Sequence, residues 1–289
     1  MRVSLIITTY NWKEALSLVL ASALRQTRLP DEIIVADDGS ADGTGEMVAR
    51  LAREAPIPII HSWQEDKGFR AAMSRNRAIA KASGEYLILV DGDIIMERHF
   101  IEDHLAAAQR GFFVQGSRVL LSQRKTEEIL SPGGNGGISL FDTELANRKN
   151  ALRFRWLSFF FSREGQGIQG VRACNLAFFK ADALAINGFN EDFRGWGRED
   201  SDFACRLMHR GVRRYNLRFA AVAYHLHHPA LMRERLPEND SLLQRTQAEK
   251  STWCANGLAN HMENMPAPAG RGDVPDARNE RTTRQVAAG

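Results

Sequence analysis

Cysteine is scarce in this sequence of 289 residues, which contains three cysteines. The number is odd, and Cys174, Cys205 and Cys254 are widely spaced, with no Cys-x-x-Cys pair among them. A disulfide framework uses an even number of cysteines and a structural zinc site uses closely spaced pairs, so the sequence indicates neither. The scarcity of cysteine fits a reducing compartment best.

An excess of one charge is also lacking, because 38 Lys and Arg stand against 35 Asp and Glu and leave a formal net charge of +3. This balance argues against a nucleic-acid partner, which would call for a strongly basic chain. No apolar run reaches the ~18 residues of a membrane span. The apolar residues 1–7 are too few for a signal sequence. We therefore predict a cytoplasmic protein whose contact with a membrane, if any, is peripheral and on its inner face.

What the sequence does contain is the composition of an ordinary globular protein, with 44% hydrophobic and 25% charged residues. In the first half, short apolar runs alternate with longer amphipathic stretches, which is typical of a parallel sheet with crossover helices. The pattern predicts strands at 3–8, 33–36, 57–60 and 86–90, and helices at 13–25, 41–53 and 71–82. The predicted fold class is α/β, with a mostly parallel central sheet flanked by helices.

The second half is less regular. Residues 122–172 have no clear periodicity and include the glycine-rich stretch 132–137, so we predict a long loop system there. A strand at 174–179, a helix at 199–210 and a strand ending at Tyr224 follow. The last 24 residues, 266–289, have too few branched apolar side chains to bury, which predicts a disordered tail.

Two acidic loops follow predicted strands, at the sheet edge where ligands of such folds bind. They are Asp37-Asp38-Gly39-Ser40 and Asp91-Gly92-Asp93. Carboxylates there suit a divalent cation with the diphosphate it neutralises, or a hydrogen bond to a nucleobase or ribose. Either loop alone is also explained as a polar turn with a capping carboxylate. Two such loops on neighbouring strands favour ligand binding.

A third polar group, Gly195-Trp196-Gly197-Arg198-Glu199-Asp200-Ser201-Asp202, opens the predicted helix at 199–210. Carboxylates in the first turn of a helix are stabilised by its dipole whatever their function, and this accounts well for Asp202. The dipole does not account for Trp196 between two glycines. Its flat indole face suits a sugar ring, and the glycines allow a ligand to approach closely.

Histidines are concentrated at residues 225–228, directly after a predicted strand. A lone histidine is usually structural, but three in four residues near a carboxylate-rich site indicate a metal ligand. We choose His225 because it lies nearest the strand.

Residues 153–163 combine aromatic bulk with positive charge, and no acidic residue occurs between Glu144 and Glu164. The mixture consists of Arg153, Arg155, Trp156, Phe159, Phe160, Phe161 and Arg163. It suits peripheral contact with a membrane. An aromatic segment buried in the protein, with exposed arginines beside it, explains the composition equally well.

At these residues the sequence resembles the inverting GT-A glycosyltransferases of family 2, especially the subgroup similar to the bacterial chondroitin polymerase donor domain. The first half carries this likeness in Thr8-Thr9-Tyr10-Asn11, Asp37-Asp38-Gly39-Ser40, Gln64-Glu65-Asp66-Lys67-Gly68-Phe69-Arg70 with Arg75-Asn76, and Asp91-Gly92-Asp93. Residues 188–191 and 195–200 look like the acceptor-side motif of β-1,4-galactosyltransferases, although Arg198 stands where a glycine is frequent. The resemblance covers residues 1–230.

The resemblance implies a GT-A fold, a UDP-sugar donor and a Mn²⁺ or Mg²⁺ cofactor. It implies Asp93 and His225 as metal ligands, Asp200 and Glu199 as catalytic residues, and Trp196 and Gly197 at the acceptor. The donor-binding residues that it implies are Thr8, Tyr10, Asn11, Asp37, Asp38, Gln64, Arg70, Asn76, Asp91 and Gly92. Either Asp37 or Asp38 would contact the uracil, Arg70 would lie near the diphosphate, and Asp91 near the ribose and sugar.

The resemblance also implies a single displacement with inversion, onto a hydroxyl of a glycan or lipid-linked oligosaccharide in bacterial surface polysaccharide or lipopolysaccharide synthesis. One transferase unit, where polymerases have two, predicts the addition of a single sugar.

We divide the chain into a nucleotide-sugar half at 1–120, an acceptor and catalytic half at 121–230, a helical appendage at 231–265 and the tail at 266–289. A Rossmann dehydrogenase is excluded because residues 8–13 contain no glycine. A sugar nucleotidyltransferase and a non-catalytic carbohydrate-binding relative remain alternatives.

Overall fold

The computed structural model describes residues 1–131, 137–139, 141–229 and 233–263. The predicted tail at 266–289 lies outside these residues. The described helices are α1 Lys13–Ala23, α2 Thr44–Glu54, α3 Ala71–Lys81, α4 Phe100–Ala107, α5 Gln123–Leu130, α6 Arg155–Phe161, α7 Lys180–Ala185, α8 Glu199–His209 and α9 Leu236–Ala248. Two short 3-10 helices cover Arg148–Ala151 and Leu258–His261. None of the described helices is long and apolar enough to cross a membrane.

The described strands form two sheets. The larger has the order β3-β2-β1-β4-β10-β6-β11-β9, and the smaller has the order β5-β12-β7-β8. Their bounds are β1 Val3–Thr9, β2 Glu32–Asp37, β3 Ile59–Trp63, β4 Tyr86–Asp91, β5 Ile94–Met96, β6 Phe112–Gln115, β7 Val119–Leu121, β8 Leu145–Ala146, β9 Arg163–Gly165, β10 Asn175–Phe179, β11 Arg213–Asn216 and β12 Ala223–His225. In the larger sheet β1 to β4 are parallel, and β10 and β9 run against their neighbours. The α/β prediction is confirmed.

The central strands are apolar at nearly every position because both faces of the larger sheet are covered. On β1, Leu5 and Ile7 belong to one buried cluster, while Ile6 between them belongs to the cluster on the opposite face. Side chains alternate between faces along a strand, so a strand covered on both sides must be hydrophobic throughout. This double burial explains why the first half of the chain could be interpreted from its apolar runs.

The register of the strands brings the polar loops to one edge. Thr9 at the end of β1 pairs with Asp37 on β2, and Thr8 pairs with Asp91 on β4. In the smaller sheet, Ile94 pairs with His225 of β12, and the Leu226 amide donates to the Asp93 carbonyl at 2.9 Å. The two sheets therefore meet where the acidic loop after β4 passes from one to the other.

The prediction of a long loop system at 122–172 was wrong for the described part of this segment, while residues 132–136 of its glycine-rich stretch lie outside the described residues. The structure has α5, β8, the 3-10 helix Arg148–Ala151, α6 and β9 in this segment. These elements are two to eight residues long, too short to show a period. Distant contacts hold them: Phe154 N donates to Phe219 O, and β9 pairs with β11.

Candidate active site

A cleft of about 730 Å³ opens at the carboxyl edge of the larger sheet. It brings together residues that the sequence separates by more than two hundred positions. The predicted site residues that line it are Thr8, Tyr10, Asp38, Asp91, Gly92, Asp93, Trp196, Gly197, Glu199, Asp200 and His225. The residues expected at the donor, the acceptor and the metal therefore share one cavity.

Arg75 on α3 joins the two sides of the cleft. Its side chain is buried, with Nη2 3.3 Å from Asp91 Oδ1 and Nη1 3.0 Å from Glu199 Oε1. Burial works against the charge of Arg75, but Glu199 and Asp91 outweigh it and raise its pKa above the ordinary value. One guanidinium thus fixes a carboxylate from the β4 loop relative to a carboxylate from α8.

Asp93, His225 and His228 form a cluster that can hold a metal ion, and one ligand atom of each lies within 4.8 Å of the others. Asp93 Oδ2 is 3.5 Å from His225 Nε2 and 3.4 Å from His228 Nε2. The Nδ1 of His228 lies 2.8 Å from the Pro229 carbonyl, which can only accept a hydrogen bond. In a neutral His228, Nδ1 therefore carries the proton and the lone pair of Nε2 faces Asp93.

The charge state of the cluster also fits a cation. Burial, and then the charge of Arg118, lowers the pKa of His225 to about 4, so its imidazole is neutral and able to ligate. Burial and the neighbouring Asp91 raise the pKa of Asp93 to about 8. Asp93 Oδ1 is buried without a hydrogen-bond partner among the described residues. A cation bound there would favour the ionised carboxylate of Asp93 over its protonated form and would complete its coordination.

Glu199 and Asp200 begin α8 and line the cleft, and Ser201 N donates to Asp200 Oδ1 at 2.7 Å. Burial and the adjacent Glu199 carboxylate raise the pKa of Asp200 to about 7. A carboxylate whose pKa lies near neutrality is well suited to accept a proton in the transition state. The third acid of the helix, Asp202, is fully buried and bound to Arg206 and Thr246, so it is structural, as the helix-start interpretation predicts.

The loop that carries Trp196 is held from behind by α9. Asn239 Nδ2 donates to the carbonyls of Arg194 at 3.1 Å and Gly197 at 2.9 Å. Arg198, which stands where a glycine is frequent, has φ +78°, a left-handed conformation that costs a non-glycine residue free energy. Its Nε binds Asp240 of α9 at 2.5 Å, and this ion pair helps to offset the strain.

The loop after β2 uses its two aspartates differently. Asp37 is fully buried; its Oδ2 is 2.8 Å from His61 Nε2, and its Oδ1 accepts from Ser40 N at 2.8 Å. Asp37 therefore shapes the turn. Asp38 lines the cleft and is oriented by Gln64 Nε2 at 2.6 Å and by Arg70 N at 2.7 Å.

Five predicted donor-binding residues are not brought to the cleft wall: Asn11, Asp37, Gln64, Arg70 and Asn76. Gln64 and the Arg70 backbone support Asp38, as described above. The side chain of Asn11 accepts from Ala41 N at 2.8 Å in the neighbouring loop. Asn76 is fully buried and bound to the Phe189 backbone and to Glu191, so it joins α3 to the turn before α8.

Arg75, His228 and Arg118 line the cleft but are not among the site residues predicted from the sequence. His228 was visible as part of the histidine cluster, and only the preference for the residue nearest the strand excluded it. Arg75 was part of the resemblance, but its partner Glu199 is 124 positions away. Arg118 lies in a stretch with no motif, and only the fold brings it to the cleft.

The chain matches two known protein families, and the two matches together span the residues that line the cleft up to residue 229. Residues 4–169 match the family described as glycosyl transferase family 2, and residues 159–229 match the family described as N-terminal domain of galactosyltransferase. The first match spans more than half of the chain, and the second spans the segment that contains Trp196, Asp200 and His225.

Characterised relatives agree with these matches. The validoxylamine A glucosyltransferase of Streptomyces hygroscopicus subsp. jinggangensis is 30% identical over 224 residues, which are 72% of this chain and 52% of that protein. The chondroitin synthase of Escherichia coli is 27% identical over 248 residues, which are 78% of this chain and 35% of that protein. The chain spans about a third to a half of the length of these relatives.

Solved structures show the same fold. S. aureus TarS, residues 1–349 in complex with UDP-GlcNAc, superposes with a TM-score of 0.57 at 18% identity, over 86% of this chain and 69% of that chain. The same protein without ligand gives a TM-score of 0.60 over 90% of this chain and 68% of that chain. At this identity the likeness establishes the GT-A fold and nothing finer.

Proposed function

The chain belongs to glycosyl transferase family 2, and from this we propose that it transfers a sugar from a UDP-sugar to a hydroxyl of a glycan or lipid-linked oligosaccharide. The observation that carries the proposal is the cleft itself, in which Arg75 joins Asp91 to Glu199 and which the candidate metal cluster and Asp200 also line. A donor and an acceptor must meet in one cavity for transfer to occur, and this cavity holds both the candidate metal ligands and a candidate base. Bacterial surface polysaccharide or lipopolysaccharide synthesis is the process we propose for it.

We propose that the β1, β2 and β4 loops bind the UDP part of the donor. Asp38 is a better candidate than Asp37 for contact with the uracil. Asp38 lines the cleft, whereas both carboxylate oxygens of Asp37 are hydrogen-bonded to Ser40 and His61. Gly92 allows close packing beneath the donor: its amide donates to Thr8 O at 2.7 Å, and a Cβ would lie 3.0 Å from the same oxygen. The TarS structures with UDP and with UDP-GlcNAc support a uridine nucleotide.

In the proposed mechanism Asp200 accepts the proton of the acceptor hydroxyl while the oxygen attacks the anomeric carbon. The new carbon–oxygen bond forms as the bond to the diphosphate breaks, so the configuration at the anomeric carbon inverts. Arg75 positions Glu199 and Asp91, and the indole of Trp196, with Arg233 4.7 Å from its ring centre, offers a face to the acceptor sugar. A Mn²⁺ or Mg²⁺ ion held by Asp93, His225 and His228 would supply positive charge for the departing diphosphate.

The proposal is tested by incubating the protein with a panel of nucleotide-sugars and Mn²⁺ and measuring nucleotide release. We expect release of UDP from one UDP-sugar, slowly with water and faster with the correct acceptor. Release of pyrophosphate from a nucleoside triphosphate would instead identify a sugar nucleotidyltransferase. Binding of UDP-sugar without turnover under any acceptor condition would identify a non-catalytic relative.

We further propose that α6 contacts the anionic inner face of a membrane, where a lipid-linked acceptor would be found. Its aromatic side chains are strongly exposed, with Trp156 at 65%, Phe159 at 79% and Phe160 at 71%. The alternative of a buried aromatic segment is therefore wrong. Arg155 begins the helix and Arg163 follows it, and both are exposed, although Arg155 Nη1 lies 3.2 Å from Glu102 Oε1. Arg153 is bound to Asp103 and only partly exposed. Exposed aromatics with flanking arginines suit the interface of an anionic bilayer.

Replacing Trp156 and Phe160 together by serine is expected to reduce co-sedimentation with vesicles of anionic phospholipid by about tenfold or more, because two interfacial aromatic side chains are lost. Added salt should weaken the binding of the wild type. Trp253→Ser, at another exposed tryptophan, is the matched control and should sediment like the wild type. Equal sedimentation of the double variant and the wild type would reject the contact.

A further inference from the structure

A second cavity, of about 260 Å³, adjoins the active-site cleft and is lined by four arginines, Arg118, Arg172, Arg214 and Arg218. Arg118, Arg172, Leu120, Gly170 and Cys174 line both spaces, so the cavity opens into the cleft. No carboxylate lines it within the part of the chain that the structure describes. We call this space the basic cavity.

These arginines differ from several others in the molecule because no carboxylate lines the cavity beside them within the described residues. Arg75, Arg153, Arg198 and Arg206 are all paired with aspartate or glutamate. The contrast is sharpest on β11, where successive side chains point to opposite faces. Arg213 is paired with Glu164 at 2.8 Å, whereas the next residue, Arg214, lines the basic cavity.

Arg214 is the most constrained of the four. Its side chain is 8% exposed, and Nη1 donates to the carbonyls of Gly167 at 3.3 Å and Gln169 at 2.8 Å. Its Nε has no hydrogen-bond partner among the described residues. Burial, and then the positive charges of Arg172 and Arg218, lower the pKa of Arg214. The three cations therefore lie close enough to repel one another, and the fold keeps them together.

Specific hydrogen bonds and close packing shape the wall around these arginines. Gln115 accepts from Arg172 N at 2.9 Å and donates to Arg172 O at 3.2 Å, which fixes the backbone of Arg172. Gly165 leaves room for two side chains of β11, because a Cβ there would lie 2.4 Å from Asn216 Nδ2 and 2.9 Å from Arg214 Cδ. The backbone of Arg172 and the side chain of Arg214 are thus held in position before any ligand arrives.

We propose that the basic cavity binds an anionic group, a phosphate or a carboxylate, carried by the acceptor saccharide. Guanidinium groups pair with both anions through two parallel hydrogen bonds, and an anion would relieve the repulsion among the arginines. At about 30 Å³ per water molecule, the cavity has room for such a group together with ordered water. The assignment to the acceptor rests on the proposed transferase function and on Arg172, Arg214 and Arg218, which belong to the half of the chain that we assign to the acceptor.

The test compares three sugars that differ in charge: glucose 6-phosphate, glucuronate and glucose. Each is titrated into the protein saturated with UDP and Mg²⁺, at constant ionic strength, so that the nucleotide site is already filled. We expect a charged sugar to bind at least about tenfold more tightly than glucose. Equal binding of the three sugars would overturn the proposal.

Variants at the two exposed arginines of the basic cavity identify the site. Arg172→Gln with Arg218→Gln is expected to lower the affinity for the charged sugar by about tenfold or more, and the corresponding double lysine variant should lose less because it keeps the charges. Arg50→Gln with Arg53→Gln, on the exposed side of α2, is the matched control and should change nothing. Unchanged affinity in the Arg172→Gln, Arg218→Gln protein would overturn the proposal.

Two further measurements are needed. The first tests the transferase function on which this proposal rests, and the second tests whether the anion belongs to the donor sugar and not to the acceptor. UDP binding by the wild type is measured in the same cell, and its absence would reject the transferase function itself, whereas UDP binding without anion binding would reject the basic cavity alone. UDP-glucuronate and UDP-glucose are then compared in the double glutamine variant. A selective loss of UDP-glucuronate binding would show that the anion belongs to the donor sugar and would overturn the acceptor assignment.

Discussion

Replacing Asp200 by asparagine is expected to lower turnover by about 10²- to 10⁴-fold, which corresponds to about 3 to 5 kcal/mol of transition-state stabilisation. Asparagine keeps the shape of the side chain and can still accept a hydrogen bond from Ser201 N, but it cannot accept the proton of the acceptor hydroxyl. The affinity for the UDP-sugar should change little, because we assign Asp200 to the acceptor and it is not one of the residues of the candidate metal cluster. The measurements are steady-state turnover and the dissociation constant of UDP for both proteins.

The pH dependence of the two proteins gives an independent check. Because burial and Glu199 raise the pKa of Asp200 to about 7, the wild type should gain kcat/KM as the pH rises through about 7 and Asp200 becomes ionised. The charged neighbours of Asp200 are Glu199, Asp91 and Arg75, and none of them is removed in the variant. The residual activity of Asp200→Asn should therefore lose this rise. Near-normal turnover in the variant, or loss of UDP binding together with turnover, would show that Asp200 is a helix-start or donor-site residue.

Replacing Glu199 is expected to have a broader effect than replacing Asp200, because Glu199 is paired with Arg75. From the sequence, Glu199→Gln is expected to weaken acceptor binding more than donor binding. In the structure Glu199 holds Arg75, which also holds Asp91 on the donor side. Loss of the Glu199 charge would therefore disturb both sides of the cleft, and Asp200 is the cleaner site at which to test proton transfer.

The fold and the location of the site could be predicted from the sequence because both depend on local patterns. The continuously apolar strands β1, β2 and β4 are recognisable one at a time, and the carboxyl ends of parallel strands meet at one edge whatever lies between them. On this basis the sequence assigns Asp37, Asp38, Asp91 and Asp93 to this edge, and Asp38, Asp91 and Asp93 line the cleft in the structure. His225 was assigned from its position at the end of a strand.

The contacts inside the site could not be predicted, because they depend on which side chains meet across the fold. Asn76 and Arg75 are adjacent in the sequence and on the same helix, yet Arg75 lies in the cleft wall while Asn76 is bound to the Phe189 backbone behind it. Asp37 and Asp38 are likewise adjacent, and the turn geometry alone decides which of them faces the cleft. The basic cavity could not be recognised from any local pattern, because its arginines come from three separate segments of the chain, at Arg118, at Arg172 and at Arg214 with Arg218.

Removing divalent metal is expected to lower turnover by about 10³-fold or more, because the metal supplies several kcal/mol of charge stabilisation to the departing diphosphate. Asp93 would contribute an oxygen ligand and His225 and His228 would contribute nitrogen ligands, a mixture that suits Mn²⁺ better than Ca²⁺. Activity should fall in excess chelator and return when Mn²⁺ is added in excess of the chelator. Full activity in chelator, with protein shown by elemental analysis to be free of metal, would contradict the assignment.

The three ligands can be tested separately from turnover by measuring Mn²⁺ binding in the presence of UDP. Asp93→Asn is expected to weaken Mn²⁺ binding most, because it removes the negative charge of the cluster, and His228→Gln should weaken it by about tenfold or more. His99→Gln, at a histidine bound to Glu97 and outside the cleft, is the matched control and should bind Mn²⁺ normally. If His228→Gln binds Mn²⁺ like the wild type while His225→Gln does not, the cluster ligates through Asp93 and His225 alone. The proximity of His228 to Asp93 would then serve only to orient the carboxylate.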